Sequence, residues 1–218
     1  MAAIAVAGAV LAGIASFAPP GKTQTGEEPA KPKPSSAGDA GITIKRVGVL
    51  FASPSDDPGV HAKVNGAKKT VLAAAYEWEY GVRLFSPAKW KEQSYEWNAY
   101  LRNASREADR LVEKIEPIIH RDSRGVIDYA ELTSEDPFLS SVLLSRKLIP
   151  KFERDFGPRL YAIVLDRYRI FLFPADGGKL EAYGTALADA YRETDRPVSL
   201  EVFLIDANGA LVIGEIGE

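Results

Sequence analysis

The first 41 residues differ so sharply from the rest of the chain that they determine where a folded core can form. Residues 2–18 are uncharged and mostly Ala and Gly, and residues 19–41 are rich in Pro, Gly and Ser with almost no bulky apolar side chain. A segment of the second kind buries too little apolar surface to offset the entropy of ordering it. We therefore expect the folded body within residues 42–218.

Residues 1–18 are typical of a signal peptide or a weak N-terminal anchor. As a helix, this segment reaches about 25 Å, which is short of the roughly 30 Å hydrocarbon core of a bilayer. The small residues Gly13 and Ala15 favour cleavage after Ala15. We expect an extracytoplasmic or membrane-tethered protein, with residues 19–41 as a flexible linker and the membrane contacted only through the leader. A cytoplasmic location is the alternative.

Composition excludes several classes of function. The net charge is −3, from 27 basic and 30 acidic residues, so no basic footprint for nucleic acid stands out and we expect no nucleic-acid partner. The chain has no Cys and only two His, which excludes disulfides, thiol nucleophiles and a three-histidine zinc site. We expect neither a metal nor a cofactor. The partner is then an unidentified protein or a small-molecule ligand.

Apolar spacing and turn formers predict the elements of the body. In chain order they are a strand at 43–51, a helix at 64–78, a helix at 97–118, a strand at 126–131, a helix at 136–156, strands at 160–165 and 168–173, a helix at 181–192, and strands at 200–205 and 210–216. This order favours an α+β fold. We expect a mixed, largely antiparallel sheet covered by helices, in a single domain behind the leader and linker.

The helix expected from Asp136 carries a specific start signal. Asp at the N-cap, followed by Pro137, suits the free amides and the fixed φ of a helix start. In that role Asn would replace Asp136 with little loss of stability. The alternative is a catalytic acid at Asp136, with Ser140 and Ser141 one turn along the same helix.

Residues 134–173 carry a familiar pattern, SEDPFLSSVLLSRKLIPKFERDFGPRLYAIVLDRYRIFLF. The pattern consists, in chain order, of an acidic residue before Asp-Pro-Phe, a Ser-Ser pair, a helix ending in Gly and an Arg-containing turn. Together with Pro197–Ser199 before a later strand, this pattern resembles the YtpQ-like family of bacterial proteins over the C-terminal half. That family commonly has Pro-Asn-Arg where this chain has 165–167, Leu-Asp-Arg. The resemblance implies a domain of unknown function with no catalytic residues to transfer.

The loop after the first strand holds Asp56, Asp57 and His61. Sites often occupy the loop beyond the end of a strand, where an acid and an imidazole can act as base and orienter or bind a metal. The simpler interpretation is a capped helix start with His61 exposed. We favour a non-catalytic binding or interaction module, and the alternative is a hydrolase that uses this loop, possibly with a metal.

The candidate residues follow from these patterns. Catalytic candidates are Asp56, Asp57, His61 and Asp136, and binding candidates are Ser140, Ser141, Asp166 and Arg167. Convergence of these residues in one cleft would favour an enzyme, and dispersal would favour a module.

Two other patterns have simpler interpretations. Residues 120–131 imitate an EF-hand loop, but His120 and Arg124 stand where oxygen ligands belong, so we expect a turn into a strand. Trp90, Tyr95 and neighbouring aromatics interleave with Lys and Arg as in single-strand stacking platforms, but we expect them in the core.

Overall fold

The computed structural model describes residues 42–217, so the expected leader and linker lie outside the described residues. Within 42–217 the strands are β1 (Arg46–Ala52), β2 (His61–Lys63), β3 (Val71–Trp78), β4 (Gly81–Leu84), β5 (Ile118–Arg121), β6 (Ile127–Thr133), β7 (Leu160–Asp166), β8 (Arg169–Pro174), β9 (Glu201–Asp206) and β10 (Gly209–Glu215). The helices are α1 (Pro87–Glu92), α2 (Trp97–Lys114), α3 (Leu148–Phe156) and α4 (Gly184–Glu193), with 3₁₀ helices at Pro54–Asp56, Leu139–Leu144 and Leu180–Tyr183. No helix in this range is long and apolar enough to cross a bilayer.

The strands form two sheets in which the described pairs are all antiparallel. In the first sheet β3 is central, with β1 on one side and both β2 and β4 on the other. The second sheet has the order β10-β9-β7-β8-β6-β5. The expected α+β class and the largely antiparallel pairing are confirmed, although the strands divide between two sheets.

The helix predicted at 64–78 is wrong, because this segment contains strand β3. Leu72, Ala74 and Tyr76 face the main core, while Ala73 and Ala75 are fully buried on the opposite face. A central strand buried on both faces loses the alternation of apolar and polar residues that identifies a strand. Its apolar residues then match helical spacing by coincidence.

The main core lies where the two sheets meet α2, α3 and the 3₁₀ helix Leu139–Leu144. It includes Val49, Phe51 and Tyr76 from the first sheet, Leu132, Leu160, Ile170 and Phe203 from the second, and Val112, Leu139 and Phe152 from the helices. A smaller cluster covers the other face of the second sheet, where Leu187 of α4 packs with Ile163 and Phe173.

The helix predicted at 136–156 is divided in two. A 3₁₀ helix ends at Leu144 and α3 begins at Leu148. Between them, the Ser145 hydroxyl donates to Asp109 Oδ1 of α2 (2.6 Å) rather than continuing a helix. The other elements are confirmed within a few residues, including both hairpins, α4 and the end of α2 just before Pro117.

The loop between β2 and β3 ties the two sheets together. Gly66 has φ +76°, and a Cβ there would lie 2.2 Å from the Val212 carbonyl oxygen of β10, so only glycine fits. Glu201 Oε1 of β9 accepts the amides of Lys68 (2.6 Å) and Lys69 (2.9 Å). The buried Glu201 therefore has a structural role, because it anchors this loop to β9.

Candidate binding cleft

A cleft of about 900 Å³ opens at the C-terminal end of β1. One side is formed by β1, β4 and the 3₁₀ helix that contains Asp56. The other side is formed by the β7–β8 turn, residues 166–169, and by residues 193–198 between α4 and β9. A volume of this size is typical of pockets that bind small ligands.

The floor of the cleft is the outer face of the first sheet. It is apolar and consists mainly of Leu50, Ala52, Val82 and Leu84. Leu50 pairs with Ala73 and Leu84 pairs with Ala75, and alternate residues along a strand share a face. The same pleat that sends Val49 and Phe51 into the main core therefore turns Leu50 and Ala52 toward the cleft.

One part of the charged wall is locked by internal bonds. Asp166 Oδ1 accepts the Tyr168 amide (2.7 Å), which fixes the β7–β8 turn. Arg169 lies 3.6 Å from Asp166 Oδ2 and donates to the Thr194 hydroxyl (3.2 Å). Because Thr194 follows the last turn of α4, this arginine holds the α4–β9 connection against the hairpin.

The remaining charges on the wall have no side-chain partner in the described part of the chain. The side chains of Arg167, Arg196, Asp56, Glu193 and Asp195 form no ion pair or side-chain hydrogen bond with another residue of 42–217. Arg167 is half-buried and the other four are exposed. The rim therefore offers both signs of charge beside an apolar floor.

The acid–imidazole pair expected in the β1–β2 loop is not assembled. Asp56 lines the cleft, but His61 lies on β2, outside the cleft lining, and its Nδ1 is 2.8 Å from the Gly59 carbonyl oxygen. Asp57 is exposed and follows the 3₁₀ helix with φ 50°. Within residues 42–217, no three side chains of the metal-binding types are grouped to hold an ion.

Asp136 belongs to a different part of the molecule, beside a smaller pocket of about 420 Å³. Its two oxygens accept from Arg46 Nη1 (2.7 Å) and Nη2 (2.9 Å), and Oδ1 also accepts the Phe138 amide (2.9 Å). Arg46 also donates to Glu77 (3.0 Å) and lies 4.8 Å from the centre of the Phe138 ring. The helix N-cap predicted at Asp136 is wrong, because the 3₁₀ helix begins only at Leu139. Asp136 instead forms an ion pair with Arg46 and caps the turn before that helix.

The two candidate serines lie in the interior. Ser140 is fully buried, and its hydroxyl accepts the Phe51 amide (3.1 Å) at the outer edge of β1. Ser141 is 2 % exposed. Of the eight candidate residues, the cleft therefore brings together Asp56, Asp166 and Arg167, and the other five lie elsewhere.

The segment that imitates an EF-hand is the β5–β6 hairpin. Asp122 turns the chain by accepting the amides of Arg124 and Val126, and Lys179 bridges Asp122 (3.1 Å) and Asp128 (2.7 Å). Partial desolvation opposes the ionisation of Asp122, but the bonds from Lys179 and from the two amides outweigh it and lower the pKa of Asp122. Burial and the bond to Asp128 raise the pKa of Tyr183 to about 12.

The interleaved aromatics form a packed cluster, as expected. Phe85 and Tyr100 are buried, and Trp90 contacts Phe85, Tyr95 and Tyr100 with ring centroids 4.8–5.5 Å apart. Tyr100 donates to the carbonyls of both Gly48 (2.7 Å) and Ala75 (2.6 Å). These rings join α1 and α2 to the first sheet.

Sequence reasoning missed much of the cleft. Val82 and Leu84 belong to β4, which was not predicted, and Arg196 lies in a connection that carried no site signal. One signal was available for Arg196. If β9 pairs with β7 in antiparallel fashion, the residues before β9 lie beside the end of β7 and hence beside Asp166.

Comparison with protein-family models, with curated proteins and with solved structures found no match to this chain. The resemblance to the YtpQ-like family therefore stays a prediction.

Proposed function

We propose that this protein is a binding module that holds a short peptide segment in the cleft. The peptide carries both signs of charge and has an aliphatic middle. The single observation that carries the proposal is the apolar floor of Leu50, Ala52, Val82 and Leu84 beside five charged side chains without partners among residues 42–217.

The floor supplies the main attraction. Burying aliphatic surface against it contributes about 25 cal/mol per Å² of apolar area removed from water. Leu50 and Ala52 are held by pairing with β3, and β4 pairs with the same central strand. A surface held in this way loses little conformational entropy when a ligand binds.

The rim supplies orientation. Arg167 and Arg196 would pair with an acidic side chain or terminal carboxylate, and Asp56, Glu193 and Asp195 would pair with a basic one. Complementary charges set direction and partner choice more than they set affinity. A peptide with only one sign of charge would leave one group of rim residues without a partner.

The local chemistry favours binding over hydrolysis. The hydroxyl groups among the described lining residues are those of Tyr168 and Thr194. Thr194 donates its hydrogen to the Ala190 carbonyl (2.8 Å) and accepts from Arg169, so no general base faces it. His61, the imidazole of the alternative mechanism, is directed to Gly59.

The expected location is part of the proposal. An extracytoplasmic or membrane-tethered setting would present the cleft to peptide segments of exported or envelope proteins. Intact mass and fractionation of the native protein test this part, with a form that begins near Ser16 or stays with the membrane as the expected result. A soluble cytosolic form that retains Met1 would contradict it.

A panel of pentapeptides tests the binding proposal. Each peptide has an acidic residue at one end, a basic residue at the other and three aliphatic residues between them. We expect saturable binding by calorimetry, and binding weaker by up to about tenfold when both charged side chains are replaced by amides. Arg196→Ala should weaken the binding, whereas Arg154→Ala, which changes an exposed arginine of α3 outside the cleft, should not.

Two outcomes would overturn the proposal. Equal binding of charged and amide peptides would remove the role of the rim. Cleavage of the peptide, detected by mass spectrometry and abolished by Asp56→Asn, would favour the alternative hydrolase.

A further inference from the structure

A third pocket, of about 500 Å³, lies against one face of α2. Its polar lining consists of Asn98, Arg102, Ser105, Arg106, Asp109 and Arg146. Along α2 each of the first five lies three or four residues from at least one other of the five, with Ser105 and Arg106 adjacent, so they line one side of the helix. Arg146 comes from the segment between the 3₁₀ helix Leu139–Leu144 and α3. We call this site the arginine pocket.

The backbone that carries Arg146 is fixed. Asp109 Oδ1 accepts both the hydroxyl of the buried Ser145 (2.6 Å) and the Arg146 amide (3.1 Å). Lys147 forms an ion pair with Glu113 on the next turn of α2. These bonds hold the segment against the helix, so the position of Arg146 at the pocket is set by the fold rather than by a mobile loop.

The pocket carries an excess of positive charge. Three arginines face one aspartate, and the aspartate is engaged by Ser145 and by the Arg146 amide. Arg102 and Arg146 form no ion pair or side-chain hydrogen bond with a residue of 42–217, and Arg106 has one long bond to the Asn103 amide oxygen (3.3 Å). Like charges four residues apart, such as Arg102 and Arg106, destabilise a helix, so a bound anion would relieve their repulsion.

The donors match a phosphoryl group. A guanidinium presents a planar fork of N–H donors that fits the oxygens of a phosphate or a carboxylate. The excess of two positive charges matches a phosphate monoester, which carries up to two negative charges at neutral pH, better than a carboxylate, which carries one. Ser105 and Asn98 add neutral donors, and neither side chain has a hydrogen-bond partner among residues 42–217.

We infer that the arginine pocket binds a phosphoryl group of the monoester type. The ligand source is either a soluble phosphorylated compound or a phosphate-bearing lipid headgroup, since both present the same oxygens. This site is separate from the peptide cleft, and neither proposal depends on the other. None of the residues that line one pocket lines the other.

Titrations of the full chain with three probes test this inference. The probes are inorganic phosphate, glycerol 3-phosphate, and vesicles of phosphatidylcholine that contain phosphatidic acid, with pure phosphatidylcholine vesicles as the baseline. Saturable binding of a soluble probe identifies a soluble source, and binding confined to the phosphatidic acid vesicles identifies a headgroup. Both outcomes support the phosphoryl site, and absence of binding in every arm overturns it.

Variants localise the site. Arg102→Gln and Arg146→Gln should each weaken phosphate binding by about tenfold or more, which corresponds to about 1.4 kcal/mol. Arg110→Gln is the matched control, because Arg110 is exposed on the same helix, outside the pocket, and is paired with Glu107. Melting curves confirm that each variant is folded. If Arg110→Gln weakens binding as much as Arg102→Gln, the effect is general charge attraction and the pocket assignment is wrong.

Discussion

Charged side chains gather at both ends of strand β1, and the two ends use them differently. At the start of the strand, Arg46 is bound by Asp136, Glu77 and the ring of Phe138, in what we call the Arg46 clamp. At the far end, the cleft presents Arg167 and Arg196 without a partner among residues 42–217. The same residue types therefore stabilise the fold in one place and remain available to a ligand in the other.

The difference follows from local geometry rather than from residue type. A guanidinium with two bonds to one carboxylate and one to another has satisfied most of its donors. Removing one partner there leaves a half-buried charge unpaired, which costs stability. A charge that makes no ion pair or hydrogen bond within the protein costs little to remove. Variants that remove a partnered charge should therefore lose more stability than variants that remove an unpartnered one.

The most buried partnered acid should give the largest effect. Glu201→Ala removes the acceptor of the Lys68 and Lys69 amides and loosens the loop that joins the sheets. We expect a loss of about 3 kcal/mol in the free energy of unfolding, measured in urea. Glu201→Gln keeps one acceptor oxygen and should lose less than half as much. Equal losses for the two variants would show that the carboxylate charge, rather than the acceptor oxygen, anchors the loop.

The Arg46 clamp should give the next largest effect. Asp136→Ala removes the bidentate partner of Arg46 and should cost about 2 kcal/mol. Asp136→Asn keeps an acceptor for the Phe138 amide but loses the charge, so it should cost roughly half of that rather than almost nothing. A cycle with Arg46→Ala isolates the coupling between the two side chains. Additive losses in that cycle would contradict the clamp.

The β5–β6 turn gives a smaller effect, which is present at neutral pH and is lost in acid. Because the fold lowers the pKa of Asp122 below its usual value, its contribution is present above that value and is lost as pH falls through the folded pKa. Below about pH 4, the parent should therefore lose stability faster than Asp122→Asn. Melting temperatures between pH 6 and pH 2 compare the two, and parallel curves would contradict the assigned bonds.

The cleft rim should give the smallest effect on stability. Arg167→Ala and Arg196→Ala should each change the free energy of unfolding by less than about 0.5 kcal/mol. Neither charge is paired within residues 42–217, so its removal leaves no opposite charge unpaired there. Arg169→Ala is the contrasting variant on the same wall, because it loses its bond to Thr194 and should be less stable than either. If Arg167→Ala lost as much free energy of unfolding as Asp136→Ala, the contrast between the cleft rim and the Arg46 clamp would be contradicted.

The sequence was sufficient for elements whose signals are local. Turn formers between two apolar runs identified the β7–β8 and β9–β10 hairpins, and a long amphipathic stripe identified α2. It was insufficient at β3, where burial on both faces removes the alternation of apolar and polar residues. It was also insufficient at 136–156, where the Ser145 hydroxyl donates to Asp109 of α2 and the helix is interrupted. Both errors come from contacts between residues far apart in the chain.

The candidate site was predictable only in part, for the same reason. Asp56 is predictable because acids in loops that follow strands often form sites, and Asp166 and Arg167 because they lie in the turn of the segment that resembles the YtpQ-like family. The hydrogen-bond partners of Asp136 and His61 could not be predicted from the sequence. Arg46 is 90 residues from Asp136 in the chain, and the His61 bond depends on the turn at Gly59. Whether a polar residue is free for a ligand is a property of its surroundings in the fold.

Mapping a bound peptide by nuclear magnetic resonance tests the central claim most directly. Amide shifts of the isotopically labelled full chain are recorded during titration with the best-binding pentapeptide. We predict that the largest changes fall at residues 50–52, 82–84, 166–169 and 193–198, with little change at Asp136 or His61. Changes centred on Asp136 or His61, or no saturable change at residues 166–169, would contradict the assignment of the cleft as the binding site.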